Sequence, residues 1–90
     1  MSNIEVAKLT RISIQNWAKQ NDIELSVETD NNPKVGLVTV VLMGDIKILY
    51  YYKHKVILVA DSQQMLSLNP LKPGTKISDK LIEVTQEHLK

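Results

Sequence analysis

The chain has no cysteine and no phenylalanine, and only one tryptophan, three glycines and three prolines in 90 residues. The missing thiols exclude a disulfide framework, a thiolate metal site and thiol redox chemistry. None of the glycines stands in a phosphate-loop spacing, so nothing supports a nucleotide cradle. Net charge is +1, which gives the molecule no overall field to draw it to nucleic acid or an anionic membrane. The longest apolar run falls well short of the ~18–20 residues that a membrane span needs. The opening segment MSNIEVAKLTR lacks the apolar stretch of a secretory signal. These absences lead to the expectation of a cytoplasmic protein without a membrane segment.

What is present suits a packed domain. Hydrophobic residues make up 43% of the chain and charged residues 23%, a balance that allows a core and argues against disorder. Valine, isoleucine and leucine supply most of the apolar fraction. The length fits a single domain over residues 1–90. A domain of this size buries only ~60–65% of its unfolded surface, so dimerisation is a natural source of extra stability.

Residues 3–21 favour helix, with ends marked by Asn3 and by Asn21-Asp22. At about 100° per residue, Ile4, Val6, Ala7, Ile14, Trp17 and Ala18 share one broad face, while Leu9 and Ile12 fall off it. That misfit allows one helix buried on more than one side, or two shorter helices with a turn between them. Residues 23–28 (IELSVE) alternate as a strand with one wet face, whereas VGLVTVVLM at 35–43 is apolar at both parities. Gly44-Asp45 marks a hairpin, because glycine accepts the positive φ at the first position of a type II′ turn.

The turn sets a register. Met43 faces Ile46, Val41 faces Ile48 and Thr39 faces Tyr50, with Leu37 opposite Tyr52. On the other parity, Val40 meets Leu49 and Val38 meets Tyr51. A strand over 46–60 would far exceed the usual ~5–6 residues, so a second reversal is expected near Lys53-His54. Tyr50 then meets Ile57, and Ile48 meets Val59. The face with Val38, Val40, Leu42, Leu49, Val56 and Leu58 reads as core. The opposite face carries Val41, Ile48, Ile57 and Val59, then Thr39, Tyr50, Tyr52 and Lys55 toward one end.

TDNNPK (29–34) and NPLKPG (69–74) read as loops. Asp61-x-x-Gln64 resembles a capping box and predicts a short helical turn before Asn69-Pro70. Ser78 is the expected N-cap of a last helix over 79–89, with Ile77 and Ile82 as its hydrophobic staple. Leu81, Ile82, Val84 and Leu89 form the apolar face of that helix. The predicted fold is α+β: an N-terminal helix or helix pair, a three- to four-stranded antiparallel sheet, a short helical turn and a C-terminal helix.

Catalytic constellations are lacking. His54 falls in a presumed turn, and His88 sits at a helix C-terminus, where the dipole favours a cation. Glu83 and Glu87, at i and i+4 beside Lys80, read as a solvated helix face. Asp61 ends an aliphatic strand, a place where α/β enzymes put an acid, but the sheet here is antiparallel and Asp61 is expected to cap a helical turn. The sequence predicts a non-catalytic binding or regulatory module with no metal, no cofactor and no enzyme activity.

Two partner classes remain. VAKLTRISIQNWAKQNDI (6–23) resembles the helix-turn-helix of mercury-resistance-type transcriptional regulators and of phage excisionases. The resemblance implies a first helix with Val6, Ala7 and Leu9, a turn at Thr10-Arg11-Ile12-Ser13, and a recognition helix buried through Ile14 and Trp17. It makes DNA a possible partner, with Arg11, Ser13, Gln15, Asn16 and Lys19 as the DNA-facing residues. The segment departs from the pattern at Arg11, where those families usually have glycine, and at Gln20, where they have an apolar residue.

The second class is protein binding, by another protein or a second copy of the chain. Adjacent strands that are apolar on both faces need two covers. If both helices pack on the Val40/Leu49/Leu58 face, a homodimer covers the Val41/Ile48/Ile57/Val59 face. Tyr50, Tyr52 and Thr39, with Lys53 and Lys55, then form the rim of that contact, where aromatic residues are enriched.

Overall fold

The structure is a computed structural model that describes residues 2–89. A long helix, α1 (Asn3–Gln20), is followed by five strands: β1 (Ser26–Asn32), β2 (Gly36–Met43), β3 (Ile46–Tyr51), β4 (Val56–Ala60) and β5 (Met65–Pro70). A second helix, α2 (Ile77–Glu87), closes the fold. The strands form one antiparallel meander in chain order.

α1 is continuous, so Thr10-Arg11-Ile12-Ser13 is a helical turn like its neighbours and the helix-turn-helix expectation is corrected. Ser2, rather than Asn3, caps it by accepting the Glu5 amide at 3.3 Å. At the other end the Ile23 amide bonds the Ala18 carbonyl and the Asp22 amide bonds that of Lys19. This is a Schellman motif with Asp22 at φ 53°, the position that usually takes glycine. Ala7, Thr10, Ile14 and Ala18 are buried, while Ile4, Leu9 and Ile12 lie on the solvent side. The apolar residues that misfit one face are thus exposed rather than evidence of a second helix.

The central hairpins match the sequence-derived pairing. Met43 pairs with Ile46, Val41 with Ile48, Thr39 with Tyr50, Tyr50 with Ile57 and Ile48 with Val59. Gly44 has φ 61° and Asp45 does not share a positive φ, as a type II′ turn requires. The second reversal is wider than two residues: the Lys55 amide reaches back to the Tyr51 carbonyl at 2.7 Å, and Lys55 itself takes φ 55°.

Four other expectations need correction. The sheet has five strands, not three or four. β1 runs to Asn32 because Asp30, Asn31 and Asn32 pair with Val38, Leu37 and Gly36, leaving a short connection of 33–35. No helical turn follows Asp61. Its carboxylate accepts the Gln63 and Gln64 amides, both at 2.8 Å, and its own amide donates to the Gln64 carbonyl, which closes a tight hairpin into β5. The same Asp-x-x-Gln pattern serves a hairpin as well as a cap. Lastly, α2 begins at Ile77, so Ser78 is a buried residue of its first turn rather than the cap.

Both helices lie on the same side of the sheet. Ala7 and Ile14 of α1, with Leu81 and Val84 of α2, share a core with Val27, Val41, Ile48, Tyr50, Tyr52, Ile57 and Val59. The covered face is therefore the opposite of the one the sequence reading assigned to the core. Thr10 and Thr85, buried among these residues, satisfy their hydroxyls on the Val6 and Leu81 carbonyls, each at 2.7 Å.

Candidate functional site

The residues read from sequence as an interface rim do not form one. Thr39, Tyr50 and Tyr52 are 0%, 2% and 5% exposed, under the helices. Thr39 Oγ1 and the Tyr52 hydroxyl share a hydrogen bond of 2.8 Å, and the rings of Tyr50 and Tyr52 meet edge to face with centroids 4.7 Å apart. Burial pushes the Tyr50 hydroxyl pKa above its ordinary value, with a further contribution from Tyr52. Only Lys53 and Lys55 remain outside, on the exposed β3–β4 turn with His54.

The possible DNA-facing residues sit along one continuous helix. Ser13, Gln15, Asn16 and Lys19 are exposed, and Arg11 is half-buried with its Nε sequestered and, among the described residues, without a hydrogen-bond partner. A single helix with three cations offers no helix-turn-helix geometry for entering a groove.

Titratable groups gather only loosely. Asp45, Asp61, Glu87 and His88 line a cleft of about 570 Å³ at the end of α2. Asp61 is held below the usual carboxylate range by the Gln63 and Gln64 amides, and His88 Nδ1 is 3.0 Å from the Val84 carbonyl. These groups serve a turn and a helix end. Among the described residues no group of histidines and carboxylates is placed to hold a metal ion. No described helix is long and apolar enough to cross a membrane.

The most distinctive surface is the sheet face away from the helices. Antiparallel register aligns Glu28, Val40, Leu49, Leu58 and Leu68 in one row across the five strands. Beside it run Asp30, Val38, Tyr51, Val56 and Pro70. On the other flank lie Ser26, Leu42, Lys47 and Ala60, before a bulge brings in Met65. The centre is apolar, the charges are confined to β1 and Lys47, and neither helix touches it. Leu68 is 53% exposed and Met65 61%; Val40, Leu49 and Leu58 are half-buried, and Val38 is buried.

The Val40/Leu49/Leu58 row, expected in the core, is instead on this face and continues through β5. The signal was present: Leu66 and Leu68 alternate with Ser67 and Asn69 directly after the Asp61 turn. No protein-family model matches the chain, and neither a curated protein nor a solved structure matches it significantly.

Proposed function

We propose that this chain is a non-catalytic protein-interaction module that self-associates by stacking its open sheet face on that of a second copy. The observation that carries this reading is the uncovered row Val40–Leu49–Leu58–Leu68. Soluble monomers seldom expose contiguous apolar patches beyond a few hundred Å².

Area and shape both favour a second copy as the occupant. Five strands at ~4.8 Å and three side-chain rows at ~6.8 Å give a flat footprint of about 500 Å². That exceeds the few hundred Å² at which a contiguous apolar patch marks an interaction surface. Two sheets pack face to face only when their twists match, and a second copy supplies an identical twist. A twofold axis also makes the contact isologous, so one patch serves both partners. Glu28 and Asp30 lie on the outermost strand, where they stay wet at the rim of such a stack.

The face offered to a partner is thus the opposite of the one expected from the sequence. The helices already cover the face with Tyr50 and Tyr52, so the tyrosines support the fold from within. An isotope-filtered nuclear Overhauser experiment on mixed labelled and unlabelled chains tests the contact. It should give intermolecular cross-peaks among the methyl groups of Val40, Leu49, Leu58 and Leu68. Cross-peaks from Ile4, Leu9 and Ile12 instead would place the contact on α1 and overturn the reading.

A further inference from the structure

The two helices do not span the sheet. α1 packs over β1 and β2, and α2 over β3, so the helix side of β5 is left bare. A groove of about 440 Å³ results, floored by Ile57 and Val59 and walled by α2 on one side and β5 on the other. Its two ends differ in charge. Lys72 and Lys80 stand at the end where β5 finishes, and Glu83 and Glu87 at the end where it starts. Lys80 and Glu83 are 3.5 Å apart, which leaves Lys72 and Glu87 as the outer charges of the groove.

β5 is also the edge of the sheet, and its backbone polarity is fixed by a neighbouring bond. The Leu71 amide donates to the Lys55 carbonyl at 2.8 Å. Alternation along an antiparallel ladder then turns the amides of Ser67 and Asn69 toward β4. Leu68 presents its N–H and C=O to the free edge, and Pro70 its carbonyl. The proline has no N–H to lose there, as suits an edge strand. Edges are usually guarded by charge, and β1 carries Glu28 and Asp30. β5 carries no charged residue from Met65 to Pro70.

From this juxtaposition we infer that the free edge of β5 accepts an extended peptide segment of a partner protein as a sixth, antiparallel strand. The register names its chemistry. The residue opposite Leu68 pairs through both backbone groups and points to the open apolar face, so it is apolar. The residue before it lies opposite Asn69, on the helix side near Lys72, so it is acidic. The residue after it lies opposite Ser67, toward Glu87, so it is basic. The recognised element is thus an acidic–apolar–basic triplet within a β-prone segment, held by main-chain bonds with charge setting its direction. The inference does not depend on self-association, because sheet stacking uses the other face and leaves this edge free.

The test uses the full chain and a capped synthetic peptide, Thr-Val-Glu-Val-Lys-Val-Thr, followed by amide chemical shifts and hydrogen exchange. Titration should shift the amides of Leu66 to Asn69 and slow exchange at Leu68. N-methylation of the central valine removes one ladder bond and should weaken binding about tenfold. Glu87→Lys, an exposed change that leaves the fold alone, should weaken it about threefold. A peptide with lysine at both charged positions should bind more weakly than the parent peptide. Absence of any shift at millimolar peptide, or equal binding by the N-methylated form, would overturn the inference. Shifts confined to Val40, Leu49 and Leu58 would also overturn it, by moving the peptide to the open face. The oligomeric state is read separately, so failure here leaves the stacking proposal standing.

Discussion

Thr39 Oγ1 and the Tyr52 hydroxyl lie 2.8 Å apart in the core, joining β2 to the turn after β3. Among the described residues, each hydroxyl has the other as its side-chain hydrogen-bond partner. Tyr52→Phe or Thr39→Val should therefore cost about 1–2 kcal/mol, because one buried polar group loses its mate. The double variant removes both groups and should cost no more than the worse single change. Urea denaturation of the four proteins checks this cycle. Strictly additive losses would show that the bond contributes nothing.

Tyr50 gives a pH signature. Its folded pKa is raised above the ordinary 10.0 by burial. Below that value both folded and unfolded chains hold the proton, so the folded state is not penalised. As pH rises past it, the unfolded chain ionises first, and stability falls. Denaturant midpoints should drop above pH ~10 in the parent. The drop should be smaller in Tyr50→Phe, and an identical alkaline profile for the two would contradict the assignment.

The continuity of α1 can be tested at Arg11, where the helix-turn-helix resemblance expects glycine. In a turn, Arg11→Gly would be harmless. In the middle of a single helix it should be less stable than Arg11→Ala by about 1 kcal/mol, since the comparison removes side-chain contacts. Thermal melts of the two variants decide the matter.

Asp22 closes α1 at φ 53°. A β-branched side chain is poorly tolerated there, so Asp22→Val should lose about 1–2 kcal/mol, while Asp22→Gly should hold or gain stability. Equal stability of the two variants would show that the Schellman closure does not form in solution.

Much of this architecture was legible in the chain. The Gly44-Asp45 turn fixes the parity of β2 and β3, and a period of two carries that parity into β4, so the central pairings follow from one residue. Which face the helices cover did not follow. Val38, Val40, Leu49 and Leu58 are as apolar as Val41, Ile48, Ile57 and Val59, and patterning cannot rank two equally apolar faces. The difference lies in Thr39, Tyr50 and Tyr52, whose hydroxyls made that face look wet. Thr39 and Tyr52 satisfy each other instead, a pairing that only three-dimensional placement reveals. β5 was missed for a related reason, since Asp61-x-x-Gln64 satisfies a hairpin and a helical cap with the same donors.

Sedimentation equilibrium of the chain reads out the stacking of two open sheet faces. One chain has a mass of 10.2 kDa. Stacked sheets should give a concentration-dependent rise to twice that mass, lost in Leu58→Lys, which puts a charge in the middle of the open face, and retained in Gln15→Lys on the outside of α1. A parent that stays at one chain's mass at millimolar concentration, or a dimer indifferent to Leu58→Lys, would contradict it.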